Sequence, residues 1–474
     1  MAYELLAPEI LTALLGLLLL ATGLMLPEQG KKLVGPLAIC GLALILGKVI
    51  INFRLEAVLF DGVYQIDMLG NFFKLLFLSA ALLVFFMAGR YTEFFGKRKS
   101  EWFSFMIFAT LGMMVMASCG DLLTLYIGLE LMTISFYILS AYLLNDGLSA
   151  EAGLKYLIMG ALSSAVLLFG ISLIYAATGS TVFNETYQVL NAPGHAQAVV
   201  VAGIALLIAG FGFKIAVVPF HMWAPDIYQG APTPVTAHLA VASKAAGFAA
   251  LLRVFMAALP LGLFNWSLAL AVLAALTIVI GNLIALPQNN VKRLLAYSSI
   301  AQAGYILVGL AAVNHYGLKG LLFYAMLYVF SNVGAFAVTT LVEVESASTD
   351  IKAFNGLGQR APMLAAVMTV CLLSLAGIPP LAGFAGKFYL FSGAVQAGYL
   401  WLAFVGLLMS MISVYYYLNI AKAMYIGACE SDTPFIVPLS SRLALWLCLL
   451  GTIIIGIYPA PLSQLAEMAI DMFF

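Results

Sequence analysis

The chain has 474 residues, a length that would allow three soluble domains. Composition excludes them. Apolar residues make up 64% and charged residues 9%, against about 25% charged in soluble globular chains. With a mean hydropathy of +1.07, this is a polytopic membrane protein. Its 21 basic and 21 acidic residues cancel, so no net field draws nucleic acid as a partner.

A hydrocarbon core about 30 Å thick takes a helix of about 20 apolar residues. Polar breaks divide the chain into about fourteen such segments. They fall near 6–26, 33–53, 71–89, 102–119, 122–143, 154–177, 198–220, 235–258, 266–286, 293–313, 318–342, 361–397, 400–424 and 442–465. The expected fold is an all-α polytopic bundle, one transmembrane domain over 1–474. No basic residue precedes Lys31, so the first segment lacks a signal peptide's charged start and reads as a retained helix. Loops are short, the longest near 178–197. Cys40, Cys119, Cys371, Cys429 and Cys448 form no C-x-x-C pair and read as packing residues.

Basic residues orient the bundle. With the N-terminus outside, cytoplasmic loops and helix ends hold Lys31, Lys32, Arg90, Lys97, Arg98, Lys99, Lys155, Lys292, Arg293, Lys352, Arg360, Lys422 and Arg442. The outer side holds Arg54 and Lys319. Six bases lie within segments. Lys48, Lys74 and Arg253 are near enough to helix ends to snorkel toward headgroups. Lys214, Lys244 and Lys387 sit mid-segment among apolar or small residues.

Glu130 stands centrally in segment five, where an ion costs about 2.5–3.5 kcal/mol on insertion scales. Tyr126, Thr133 and Tyr137 share its helix face by spacing. A carboxylate there is either a protonated, hydrogen-bonded group or the partner of an intramembrane lysine, with Lys214, Lys244 and Lys387 the candidates. A lysine in oil holds its proton according to its neighbour, and such a pair titrates as one unit. Lys155 opens segment six. It either feeds the Glu130 region or marks the cytoplasmic end.

Segment seven reads FGFKIAVVPFHMWAPDIYQGAPTPV, with Pro219 and Pro225 cutting the helix after Lys214. His221 follows the break, as a relay or a cap, and Asp226 organises the turn. In segment eight His238 precedes Lys244 by six residues and does not share its face. Segments ten and eleven carry polar stripes, Ser298, Gln302, Tyr305 and Tyr324, Tyr328, Ser331 with Asn332. These either bond helix to helix or line water. Segment twelve reads LAGIPPLAGFAGKFYLF, with Pro379 and Pro380 before Lys387. Freed backbone groups are tolerated at membrane depth only against protein or water. Two breaks five segments apart therefore suggest a lined cavity and an internal repeat of the kind transporters use. The chain contains no P-loop, no dinucleotide fingerprint and no paired-histidine haem pattern, so cofactor-binding and metal sites are expected to be none.

GFKIAVVPF, HMWAPDIYQGAPTPVTAHLAVASKAAG, AYSSIAQAGYILVGL and GIPPLAGFAGKFYLF resemble the antiporter-like subunits of respiratory complex I and of Mrp-type cation/proton antiporters. The resemblance covers roughly segments four to thirteen. Lys387 in segment twelve, the absence of a long lateral C-terminal helix and the wording around Lys387 are similar to the N-type branch. The resemblance implies fourteen helices, with helices 7 and 12 broken. Two inverted five-helix repeats would span segments 4–8 (residues 101–258) and 9–13 (266–424). Helices 1–3 (1–100) and helix 14 (442–474) would flank them. It implies a Glu130–Lys214 charge pair, Lys244 as the central lysine, Lys387 as the distal one and Lys155 as a further basic position. His238 stands where the family would carry an aromatic or apolar residue. The implied role is proton translocation in the bacterial cytoplasmic membrane. Other membrane-arm subunits are the implied partners, and flavin, iron–sulfur clusters and quinone would be held by partner subunits. Alternatives are a subunit of an Mrp antiporter or membrane-bound hydrogenase, and a non-pumping spacer. A stand-alone solute transporter fits least, because no substrate site is apparent.

Overall fold

The structure, a computed structural model, describes residues 2–25, 27, 30–192, 197–261, 265–428 and 435–474. Cys429 lies outside them. Among the described residues, 13 helices are long and apolar enough to cross a membrane. We number the helices α1 Ala7–Met25, α2 Val34–Ile51, α3 Met68–Met87, α4 Lys99–Ala117, α5 Leu122–Ser140, α6 Gly147–Thr178 and α7a Gln197–Lys214. Beyond them come α7b Trp223–Gly230, α8 Thr233–Ala257, α9 Trp266–Ala285, α10 Val291–Ala312 and α11 His315–Ser346. The rest are α12a Pro362–Ala376, α12b Ala382–Gln396, α13 Leu400–Ile426 and α14 Leu439–Ile457. The broken segment twelve, with the thirteen, gives the fourteen predicted crossings.

Side-chain caps start many of these helices. Asp67 accepts from Gly70 N at 2.7 Å, Asp121 from Thr124 N at 3.0 Å, and Asn290 from Arg293 N at 3.2 Å. Each satisfies an amide that the helix itself leaves open. Two features recur along the chain. α6 and α11 are each 32 residues long. Leu122 N bonds Thr181 O at 2.9 Å, and Val291 N bonds Thr349 O at 2.8 Å. The start of α5 is thus pinned to the loop after α6, and the start of α10 to the loop after α11. The most extensively packed pairs are α4 with α5, α6 with α7a, α9 with α10, and α11 with α12b.

α8, α10 and α11 form the centre, with 94% of their apolar windows buried, against 28% in α2 and α14. The centre therefore has protein on every side, and the rim faces lipid or partners. Both predicted breaks are present. α7a stops at Lys214, and the chain crosses Ala216 at φ 58 and Pro219 before α7b. Val218 N bonds Thr277 Oγ1 at 3.0 Å, and Trp223 Nε1 bonds Phe213 O at 2.8 Å. α12a stops at Ala376, turns through Gly377 at φ 88, and resumes at Ala382. These turns are closed by side chains rather than left open, as an apolar surrounding requires.

Several elements differ from expectation. α6 begins at Gly147, so Lys155 lies two turns inside it. The loop near 178–197 holds a short helix, Phe183–Asn191, and segment fourteen ends at Ile457 before a separate helix Ala460–Ile470. A hairpin of Ala57–Leu59 and Tyr64–Ile66 precedes α3. Snorkelling is wrong for two of the three bases. Lys74 pairs with Glu9 at 2.6 Å, and Tyr64 donates to the same carboxylate at 2.8 Å. Arg253 grips Asp67 with two nitrogens, at 2.6 and 2.7 Å, and bonds Gln65 and Ala117 O, each at 2.9 Å. Burial against an acid from a distant helix costs less than reaching for the interface past packed neighbours. Lys48 is half-buried in the last turn of α2.

Removing one partner of a buried pair leaves an uncompensated charge, at about 3–5 kcal/mol. Arg253→Ala is expected to lower the melting temperature of the protein in detergent sharply. Arg253→Met with Asp67→Leu is expected to recover much of that loss, and equal melting of the two variants would contradict the assignment.

Candidate functional site

Glu130 is carried by α5, one turn before Thr133 on the same face. Lys214 ends α7a, where the break leaves its ammonium facing α5. It donates to Thr133 Oγ1 at 2.9 Å, and Thr133 in turn donates to Leu129 O at 2.6 Å. Among the described residues no ion pair within 4.0 Å joins Glu130 to Lys214. Glu130 Oε1 is buried without a hydrogen-bond partner. The expected direct charge pair is therefore replaced by a bond from Lys214 to the hydroxyl of Thr133, one turn beyond Glu130 on α5. Tyr137, on the same face, has a buried hydroxyl without a partner.

Lys244 follows a π-helical turn, Leu239–Ser243, in the middle of α8. Such turns re-aim one residue by widening the helix locally. The ammonium bonds Ser299 O at 2.9 Å and Ser299 Oγ at 2.8 Å on α10, with the Tyr228 ring 5.7 Å away. Ala245, Ala303, Ala325 and Tyr328 help enclose a cavity of about 10 Å³ beside it, close to the least space one water needs.

Lys387, on α12b, reaches back to the end of α12a. It donates to Leu375 O and Ala376 O, each at 3.0 Å, and to Ser410 Oγ at 2.6 Å. The Tyr305 ring lies 4.5 Å from the ammonium. Those carbonyls are the open end of a helix, where partial negative charge favours a cation. Gly377 makes the approach possible. A Cβ there would stand 3.0 Å from Lys387 Cδ, on a backbone at φ 88.

Polar groups occupy the space between the last two lysines without forming one bonded chain, since Ser299 Oγ donates to Ala296 O at 2.8 Å and not to its neighbour Ser298. Ser299 holds Lys244, and its neighbour Ser298 bonds the Tyr417 hydroxyl. Gln302 Nε2 reaches Tyr417 at 3.4 Å and Leu375 O at 3.0 Å, the carbonyl that Lys387 also uses. Tyr324 donates to Gln302 Oε1 at 2.6 Å. The stripe on α10 thus joins it to α11, α12a and α13. Tyr305 instead receives Asn282 Nδ2 at 3.3 Å, and Tyr328 and Asn332 are buried without partners. Ser331 bonds Ser374 at 2.9 Å and so supports the α12 break.

Between Lys214 and Lys244 stands an aromatic layer. Trp223 stacks on Tyr156 at 5.0 Å and on Phe213 at 5.2 Å. His221 is buried there with neither ring nitrogen partnered. His238 faces another way, with Nε2 3.2 Å from Thr110 on α4 and Nδ1 unpartnered. Lys244 faces α10, so the two do not share a face. Lys155 pairs with Glu151 at 2.6 Å and Asp226 at 2.8 Å, and Asp226 also binds Arg293 at 2.7 Å. These groups line a polar pocket of about 210 Å³ at the start of α6 and the end of α7b.

Sequence reasoning missed three buried ion pairs: Glu9–Lys74, Asp67–Arg253 and Glu343–Lys292, the last at 3.6 Å. An acid at the start of an apolar run was the available signal for Glu9 and Asp67. The contrast they create is informative. These bases at the ends of the bundle are bound directly to carboxylates. Lys214, Lys244 and Lys387 rest on hydroxyls and carbonyls.

A bundle with two broken helices and buried lysines strung on neutral acceptors is the architecture of an antiporter-like membrane subunit. The chain belongs to the family described as NADH:quinone oxidoreductase/Mrp antiporter, TM, which matches residues 119–413. It is 52% identical over 477 residues to NADH-quinone oxidoreductase subunit N of Heliobacterium modesticaldum, covering 100% of both chains. It is 50% identical over 471 residues to subunit N of Desulforamulus reducens, covering 99% of this chain and 98% of that one. A chain of respiratory complex I from Thermus thermophilus superposes with a TM-score of 0.82 at 37% identity, covering 97% of this chain and 99% of that one.

Gly377→Ala adds a Cβ in the left-handed region, at about 1–2 kcal/mol, and crowds Lys387. The variant is expected to melt several degrees below the parent. A melting temperature equal to the parent's would contradict the close approach.

Proposed function

We propose that this chain is a proton-translocating membrane-arm subunit of a bacterial NADH-quinone oxidoreductase. It sits in the cytoplasmic membrane with its N-terminus outside. Electron transfer from NADH to quinone takes place in partner subunits, which hold the flavin and iron–sulfur clusters. This chain moves protons. The observation that carries the reading is the neutral bonding of all three lysines, with buried hydroxyl and amide groups between Lys244 and Lys387. A lysine held by a carboxylate cannot lose its proton without stranding a buried anion. A lysine held by hydroxyls and carbonyls can.

The matching lengths of α6 and α11, the matching pins at α5 and α10, and the two breaks support the repeats 101–258 and 266–424. Each repeat would supply one half-channel. A conformational or electrostatic change near the quinone reaches Glu130 and alters its distance from Lys214. The ammonium at Lys214 then gains or loses its through-space partner, and its hold on the proton changes with it. Protons pass from Lys214 to Lys244 across the layer that contains His221. They continue along Ser299, Ser298, Tyr417 and Gln302 to Lys387 and leave outward. Lys155 and Asp226 border the cytoplasmic inlet. His238, bonded to Thr110, lies off this line and is a side relay at most. Relatives half-identical over the full chain are oxidoreductase subunits, which favours this reading over a cation/proton antiporter or a membrane-bound hydrogenase.

Glu130→Ala and Lys387→Ala, each in the assembled complex, are expected to lower the proton-to-electron ratio while NADH oxidation by artificial acceptors continues. Gln302→Leu is expected to do the same more mildly, since it removes one of the polar groups between Lys244 and Lys387 without removing a charge. A normal ratio in all three variants refutes the mechanism. Lower assembly with a normal ratio per electron points instead to a non-pumping spacer.

A further inference from the structure

A cavity of about 430 Å³ opens at one end of the bundle, away from the proton route. It lies where α2 begins, α3 ends, α4 begins and α14 begins. Lys31, Lys32 and Lys99 line its rim. Among the described residues, no acidic side chain lines it. Lys31 already donates to Lys97 O at 3.3 Å. α2 and α4 both start here, and neither has a side-chain cap on its first amides.

The walls change character with depth. Along α4, Lys99 at the rim is followed one turn deeper by Phe103. Along α2, Gly35 is followed by Ile39, and along α3, Gly89 is preceded one turn deeper by Phe85. All six residues line the same cavity. One helical turn is about 5.4 Å, so the site has a cationic tier at headgroup depth and an apolar tier beneath it. A free phosphate would use the first tier alone. A phospholipid uses both.

We propose that this cavity binds an anionic phospholipid, its phosphate between Lys32 and Lys99 and its first methylenes against Ile39, Phe85 and Phe103. The site is independent of the relay, since none of its lining residues touches Glu130, Lys214, Lys244 or Lys387. Bound lipid would tie α2, α4 and α14 together at the rim of the bundle, where the chain's own packing is thinnest.

The test uses the purified, delipidated complex and phosphatidylglycerol with a photoactivatable diazirine near the top of one acyl chain. Labelling is expected on the peptides that hold Ile39 and Phe103. Unlabelled phosphatidylglycerol should compete, while phosphatidylcholine and inorganic phosphate should not. In the double variant Lys32→Gln, Lys99→Gln, half-maximal labelling should need about 25-fold more lipid, roughly fivefold for each ammonium lost at headgroup depth. Equal competition by phosphatidylcholine would overturn the proposal, as would competition by phosphate. No labelling of the intact complex, because a neighbouring subunit covers the site, would overturn it too. If the variant fails to assemble, the competition series on the unaltered complex decides the question.

Discussion

An ammonium group in oil must find acceptors, and this constraint organises the centre of the molecule. Lys387 is satisfied because α12 breaks and turns the carbonyls of Leu375 and Ala376 toward it. Lys244 is satisfied because a π-helical turn aims it at Ser299. Lys214 stands at the end of α7a, where the break lets it meet Thr133. Each irregularity in the helices coincides with a buried base. At Lys387 the irregular backbone and the buried base make each other tolerable: the base satisfies carbonyls that the break exposes, and the break supplies acceptors that a regular helix would keep to itself.

The charges divide into two kinds. Arg253 with Asp67, and Lys74 with Glu9, are direct pairs that fix the hairpin, the start of α3 and the end of α8. These pairs behave as rivets. Among the described residues, the three central lysines bond hydroxyls and carbonyls and have no carboxylate within 4.0 Å. Such groups respond to small movements, because a shift in through-space distance is not offset by a broken bond. A rigid frame around responsive centres is what a relay driven from a distance needs.

Much of this was legible in the sequence. Segment positions followed from apolar length, and the two breaks followed from Pro219, Pro379 and Pro380. Glu130, Lys214, Lys244 and Lys387 announced themselves as charges within apolar runs. What stayed hidden depended on contacts between distant elements. Nothing in the run around Arg253 tells that Asp67 lies beside it, so a snorkelling base and a buried one look alike. The π-helical turn before Lys244 leaves no mark in LAVAS. Gln302 was visible as one member of a polar stripe, but its sharing of Leu375 O with Lys387 belongs to the packing of α10 against α12. The resemblance to antiporter-like subunits gave the roles of the lysines; the packing shows what each of them touches.

The account stands on a hydrated polar route that joins the buried bases. A high-resolution map of the assembled complex, with its internal waters resolved, tests this most directly. Ordered waters are predicted at the unpartnered atoms of His221, Tyr328 and Asn332, bridging Lys214 to Lys244 and continuing to Lys387. A dry aromatic wall at His221 and Trp223 in every state of the complex, with no water on either side of it, would contradict the account.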